Sequence, residues 1–264
     1  MFVTIINDCC DANEAGRQST RASLLFPGSN VTFMGLSNYS ELEAAGHLVD
    51  VLDAAAGQEG VVLVNSAPRH GTGKKWENGT PFGWFWYGKT LVAATVAGQT
   101  LSMVKKLGIM KEFHVTDIPT VLDVMIKNGK FEAENRDRVV KSQFRSYEYL
   151  PFLAAWVKAG EQIPSEKLDM NDVPDVPQAV WFVDSFGNCK TTLLPDEVGF
   201  VAGEKMKTKV GEFTCFNRLK DVPSGEAGMT IGSSGFGNTR LIEVTINGRR
   251  ASDEFGLKSG TELR

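Results

Sequence analysis

The residue types best suited to grip a small polar ligand crowd into one short turn of the stretch 179–193, where Asp184, Phe186 and Asn188 follow one another at alternate positions. A carboxylate accepts hydrogen bonds from a vicinal diol, an amide both donates and accepts, and a phenyl ring offers a flat face to a heterocycle. The flanking runs 179–183 and 189–193 are β-prone, so the pattern predicts a hairpin with its chemistry at the tip. An Asx-capped turn without a ligand has the same composition, and the rest of the chain must decide between the two.

A second loop, 67–75, reads Ala67, Pro68, Arg69, His70, Gly71, Thr72, Gly73, Lys74, Lys75. A phosphate-binding loop needs glycine where Pro68 stands and Ser or Thr where Lys75 stands, which disfavours nucleoside triphosphate hydrolysis. Among the histidines, His47 falls on a predicted helix and His114 on a predicted strand; His70 alone sits where proton chemistry is open to it. No Gly-x-Ser-x-Gly elbow or nucleophile–base pair points to a serine or cysteine hydrolase. The 4 cysteines form no CxxC and no zinc spacing and read as reduced thiols. The run 232–237, with Ser233 and Ser234, is a turn that either touches ligand or only links strands. A net charge of -4 gives no basic footprint for nucleic acid or an anionic membrane, leaving small-molecule work favoured. No segment approaches the ~20 apolar residues of a membrane span. The opening MFVTIIND has no basic leader region, and a cytoplasmic location is expected.

These residues need elements to position them. Apolar β runs at 2–6, 31–34 and 60–64 alternate with helical patterns at 13–26 and 39–56, which implies a parallel sheet with right-handed crossovers. Ligands of such sheets lie beyond the carboxyl ends of the strands, so Asp8 and the loop 65–75 are on the site side. Further strands are expected at 90–96 and 111–115, and helices at 100–107 and 144–159, the latter with Pro151 in its first turn. The glycine-rich aromatic segment 79–87 precedes them, and 121–140 is too polar to assign. The acid- and proline-rich stretch 168–177 is the expected linker. Beyond it, short runs at 179–183, 189–194, 208–214, 228–232 and 240–246 are separated by turn residues. The predicted fold class is therefore α/β: a Rossmann-like domain with a parallel-rich sheet over 1–167, then a small C-terminal antiparallel β-barrel domain over 178–264.

Taken together, these stretches resemble the S-adenosylmethionine hydroxide adenosyltransferase superfamily, which includes the fluorinase and chlorinase. Val183-Asp184-Ser185-Phe186-Gly187-Asn188 is similar to the family's D-x-F-G-N turn. Ser233-Ser234-Gly235-Phe236, then Ile242-Glu243-Val244-Thr245-Ile246-Asn247, then Phe255-Gly256-Leu257-Lys258-Ser259-Gly260 follow in the family's order. Toward the N-terminus, Asn7-Asp8, Tyr39, the loop from Ala67-Pro68 to Gly71-Thr72, and Phe144-Arg145-Ser146-Tyr147-Glu148 match further family elements.

The resemblance implies a homotrimer whose site is shared between subunits and takes an adenosyl group. No cofactor is implied beyond S-adenosylmethionine as substrate or ligand, and no metal. Asp8, Tyr39, Ala67, Asp184, Phe186, Asn188, Ser233 and Ser234 are the implied substrate-binding positions. The family reaction is displacement at the ribose 5' carbon by water, hydroxide or halide, with methionine leaving. Hydroxide-using members surround the attacking water with Asp, Arg and His; here Ala67, Lys74 and Arg145 stand in those places. Ser146 falls at a serine used near the halide, and Val96-Ala97-Gly98 replaces an Asn-Gly element at the methionine end. Lys74, Arg145, Ser146 and His70 are thus the expected catalytic-side groups, with the two cations suited to hold an anion. Cleavage of S-adenosylmethionine is the expected activity; the alternative is a catalytically silent adenosine or S-adenosylmethionine binder on the same scaffold.

Overall fold

Buried, largely branched aliphatic runs form β1 (Phe2–Asn7) and β3 (Gly60–Asn65) of the first sheet, and β1 lies between β3 and the more exposed edge strand β2 (Asn30–Gly35), all three paired in parallel. The computed structural model describes residues 1–38, 40–67 and 79–264, and the chain divides into two compact units, Met1–Pro174 and Asp175–Arg264. In unit 1, α1 (Ala12–Leu25) starts where Asp11 caps it, accepting from the backbone N–H groups of Asn13 and Glu14 at 2.9 and 3.2 Å. α2 (Glu41–Ala55) ends at Ala56 in the left-handed conformation.

Strands β4 (Phe82–Tyr87) and β5 (Thr90–Thr95) make an antiparallel hairpin, with β5 parallel to β3. The short helix α3 (Ser102–Lys106) leads to β6 (His114–Thr116), which pairs with the other side of β4. α4 (Ile118–Lys127), α5 (Arg136–Val140), α6 (Arg145–Glu148) and α7 (Leu150–Lys158) follow, and β7 (Glu166–Lys167) closes the sheet edge against β6. The order is β2-β1-β3-β5-β4-β6-β7. One core binds Val3, Ile5, Val61 and Leu63 of the sheet to Ala22 of α1, Val121 and Leu122 of α4, and Leu153 and Ala154 of α7. On the other face α2 packs on β1 and β3 through Leu48, Val49 and Leu52, all fully buried. Full burial of each such aliphatic side chain contributes about 1.5–3 kcal/mol of transfer free energy.

Several elements differ from the sequence reading. The segment 79–87 supplies an internal antiparallel strand, and 121–140 is largely helical. The single helix expected over 144–159 breaks at Tyr149 (φ -122, ψ -50) into α6 and α7. Pro151 sits in the first turn of α7, where its missing N–H costs nothing, but it could not continue a helix through from α6.

Unit 2 begins with β8 (Val180–Val183) and β9 (Cys189–Thr191), an antiparallel hairpin. α8 (Pro195–Val198), β10 (Lys205–Thr208), β11 (Gly211–Phe216), β12 (Ala227–Phe236), β13 (Thr239–Ile246) and α9 (Ala251–Phe255) complete it. The sheet order is β10-β11-β12-β13-β9-β8. Among the described residues no pairing joins β10 to β8 to close a barrel, and β11 runs parallel to β12, so the unit is a mixed sheet where an antiparallel barrel was expected. Val180, Cys189, Phe213, Met229, Ile242 and Val244 form its core. Burial pushes the Cys189 thiol up to about 12, so it is a neutral core side chain. Among the described residues no helix is long and apolar enough to cross a membrane.

Candidate functional site

Because β4 is antiparallel to both β5 and β6, the strands β1, β2, β3, β5 and β6 all point the same way, and their carboxyl ends share one edge with the start of β4. The chain steps from β1 to β2 on one side and returns to β3 on the other, leaving a switch-point crevice between the ends of β1 and β3. Asp8 is there. Its Oδ2 accepts from the backbone N–H of Ala67 at 2.8 Å, bringing together two of the expected binding positions. Below it Asn65 Nδ2 donates to Asn7 Oδ1 at 3.1 Å, and Asn7 Nδ2 donates to Gln18 Oε1 at 2.6 Å. Asn7 Oδ1 also accepts from the backbone N–H of Cys9 at 2.9 Å. This buried amide chain fixes the peptide that carries Asp8. Its only signal in the sequence is an Asn closing both β1 and β3. Tyr39, His70 and Lys74 lie outside the described residues.

Arg145 lies elsewhere along the edge. Its guanidinium carbon is 5.8 Å from the centre of the Phe82 ring at the start of β4, and it fills the space beside Gly79. A Cβ on Gly79 would come within 2.2 Å of the guanidinium, and the residue's φ of +75° is one that side chains rarely adopt, so this position must be glycine. Burial lowers the pKa of Arg145, although a guanidinium stays charged at any ordinary pH. Three ladder steps separate β1, which leads into Asp8, from β4, against whose first residue Arg145 packs. Arg145 lines a cavity of about 590 Å³ together with Thr116, Asp117, Ile118, Pro164 and Glu166. Ser146, its neighbour, is 5% exposed.

In unit 2 the turn between β8 and β9 is built by Asp184. One carboxylate oxygen accepts from the backbone N–H groups of Phe186 and Asn188, both at 2.9 Å, and the other accepts from Asn188 Nδ2 at 3.0 Å. The backbone N–H of Gly187 donates to the Asp184 carbonyl at 2.9 Å, with Gly187 at φ +83° and its Cα side pressed against Arg250. The same Arg250 donates to the Ser185 carbonyl at 2.6 Å. These bonds leave the Phe186 ring standing out at 77% exposure. It forms one wall of a cavity of about 450 Å³ with Asn188, Leu219, Asn247, Gly248 and Arg250. Leu219 and the segment 246–250 were not expected from the sequence, because turn residues after a strand carry no signal of facing another turn. Ser233 and Ser234 lie at an irregularity in the β12–β13 register. Ser233 is exposed, and Ser234 is 2% exposed and accepts from Lys190 Nζ at 2.7 Å.

Residues 178–264 match the family model for the SAM hydroxide adenosyltransferase C-terminal domain. The resemblance read in the sequence holds. The match lies within unit 2 and includes the turn that carries Asp184, Phe186 and Asn188, and it suggests an S-adenosylmethionine-related function. No curated protein matches the chain. Among solved structures, an uncharacterized conserved protein from Thermotoga maritima shares the fold at a TM-score of 0.70 and 16% identity, over 99% of both chains. A conserved hypothetical protein from Thermus thermophilus does so at 0.62 and 18%, again over 99% of both. At those identities the likeness is one of fold.

Proposed function

We propose that this protein binds S-adenosylmethionine, or a related 5'-substituted adenosine, and cleaves it by nucleophilic displacement at the ribose 5' carbon. The observation that carries this reading is the cavity around Phe186 in a domain of the adenosyltransferase family. An exposed ring held rigidly over an apolar cleft, with Asn188 and Asn247 at its polar side, suits a purine: stacking supplies affinity and the amides supply orientation. Asp8 is suited to the ribose hydroxyls, since a carboxylate accepts hydrogen bonds from a vicinal diol. A sulfonium is a good leaving group, so catalysis calls mainly for in-line placement and a partly dried nucleophile. His70, Lys74 and Ser146 remain the candidates for the nucleophile end. Arg145 joins them as a cation able to hold an anion.

The second reading, a silent adenosyl binder, is favoured by one feature: the loop position that bears a carboxylate in hydroxide-using relatives is Ala67, whose backbone N–H is held by Asp8. Incubation with S-adenosylmethionine separates the two. Adenosine or a 5'-substituted adenosine together with methionine supports cleavage; saturable binding with the ligand recovered intact supports the silent binder.

A further inference from the structure

The 4 thiols of the chain fall into two environments. Cys189 and Cys215 are core side chains of unit 2, and burial raises the pKa of both. Cys9 and Cys10 are adjacent free thiols, both partly exposed, and they directly follow Asp8 beyond the carboxyl end of β1. Cys10 leans over the end of β2: its Sγ donates to the Leu36 carbonyl at 3.5 Å, and a Cβ on Gly35 would come within 3.2 Å of that sulfur. The backbone of Cys9 is tied on both sides. Its N–H donates to Asn7 Oδ1 at 2.9 Å, and its carbonyl accepts from Gln18 Nε2 at 3.0 Å. Gln18 is 1% exposed, and its Oε1 accepts in turn from Asn7 Nδ2 at 2.6 Å. The amide chain that fixes Asp8 therefore ends on the peptide group joining the two cysteines.

We propose that Cys9 and Cys10 are a redox-sensitive pair, which hydrogen peroxide closes to a vicinal disulfide and a dithiol reopens, and that closure unseats Asp8. One thiolate attacks a peroxide oxygen: an S–O bond forms, the O–O bond breaks, and the leaving oxygen departs as water once protonated. The neighbouring thiolate attacks the resulting sulfenic sulfur, forming the S–S bond and expelling a second water. The thiol pair is oxidised by two electrons and the peroxide reduced to two waters. The ring so formed includes the peptide group between the cysteines. Neighbouring Cα atoms are ~3.8 Å apart across a trans peptide, short of the ~4.4–6.8 Å usual between disulfide-linked residues, so closure has to turn or twist that peptide. Turning it draws the Cys9 carbonyl away from Gln18, whose other end holds Asn7, and shifts Asp8 relative to the Ala67 N–H. Strain of this kind also makes a disulfide more reducible, so the change reverses with a dithiol. Resting on the adenosyl reading, the oxidised chain binds adenosine more weakly than the reduced one.

The test treats the full-length protein with hydrogen peroxide in slight excess and maps its cysteines by alkylation and mass spectrometry. The peptide bearing Cys9 and Cys10 should lose the mass of two hydrogens and resist alkylation, both reversed by dithiothreitol, while Cys189 and Cys215 stay as thiols. Cys9→Ser and Cys10→Ser should each stop at a sulfenic acid that dimedone traps. The wild-type map decides even if these variants do not fold. Amide exchange reads the coupling: the Ala67 N–H should exchange about tenfold faster in the oxidised protein, and Cys9→Ser should abolish that response to peroxide. Adenosine affinity in calorimetry should fall about tenfold on oxidation, the worth of one hydrogen bond to the ligand. Thiols that stay reduced, that pass to sulfinic acid without closing, or that pair with another chain overturn the proposal. So does a closed disulfide with Ala67 exchange unchanged. Adenosine binding that is absent in the reduced protein, or untouched by oxidation, counts against the adenosyl role of Asp8 alone, because mass and Ala67 exchange still decide the redox pair.

Discussion

The carboxylate of Asp184 is turned into its own loop, and this changes what its removal should do. With three hydrogen bonds accepted from Phe186 and Asn188, Asp184→Ala strips the turn of its anchor and should lower unfolding stability by ~1–3 kcal/mol in urea titration. Phe186→Ala should do the reverse: the ring is 77% exposed, so stability should stay within about 0.5 kcal/mol. Its adenosine affinity should nonetheless fall by ~1–3 kcal/mol, the usual worth of a base stacked on an aromatic ring. Wild-type affinity in that variant would remove the ring as a platform. The residue types at this turn were legible in the sequence, whereas the direction of Asp184 was not, because capping a turn and gripping a diol use the same oxygens. Ala67 offers a further prediction. Ala67→Asp places a second carboxylate next to Asp8, where like charge raises one pKa toward that of a useful general base. S-adenosylmethionine hydrolysis should rise about tenfold, a barrier change of ~1.4 kcal/mol, read as adenosine released per unit time.

Elements announced themselves in the sequence where periodicity was strong and hid where a local feature cut across it. The buried runs of β1 and β3 and the apolar face of α2 were clear. β4 was masked by Gly83, which reads as a breaker but is needed because a Cβ there would meet the His114 carbonyl at 2.0 Å on the neighbouring strand. α4 and α5 were masked by their charged outer faces, where Arg136 pairs with Asp123 and Lys141 with Asp137. One buried acid ties α2 to the loop that follows β2: Glu43 accepts from the Ser37 N–H at 3.2 Å and lies 3.8 Å from His47 Nε2. Burial alone would raise its pKa, but the bonds from His47 and Ser37 outweigh burial and leave it below the ordinary 4.5. A carboxyl depressed on folding contributes stability above its unfolded pKa and loses it as pH falls through the folded value. Glu43→Gln should therefore be less stable than wild type near neutrality, with the difference shrinking as pH drops below 4.5. A difference constant down to strongly acid pH in chemical denaturation would show that the bonds to Glu43 do not depend on its charge.

At the scale of the whole molecule, the alternation of strands and helices revealed the parallel-rich sheet, but strand order was beyond it. Nothing in the hairpin 82–95 says that β4 will lie between β5 and β6, a placement fixed by which edges remain to be covered. In the same way the short runs beyond residue 178 predicted an antiparallel unit, yet β11 and β12 pair in parallel. Assembly is likewise not written in any one segment, yet the surface of unit 2 bears on it. Phe186 and Leu219 are 77% and 44% exposed and line the same cavity, so a large ring and an aliphatic side chain face water together. Apolar groups clustered in this way are characteristically covered by a ligand, a neighbouring subunit, or both. The trimer implied by the resemblance would supply such a cover and would make the adenosyl site incomplete in a single subunit. Binding is then coupled to assembly by mass action: adenosine should stabilise the oligomer, and affinity should fall on dilution in step with dissociation. Light scattering and calorimetry on the same dilution series measure both quantities. A monodisperse monomer that binds adenosine with undiminished affinity would mean that unit 2 completes its site within one chain and that the exposed ring is covered by ligand alone.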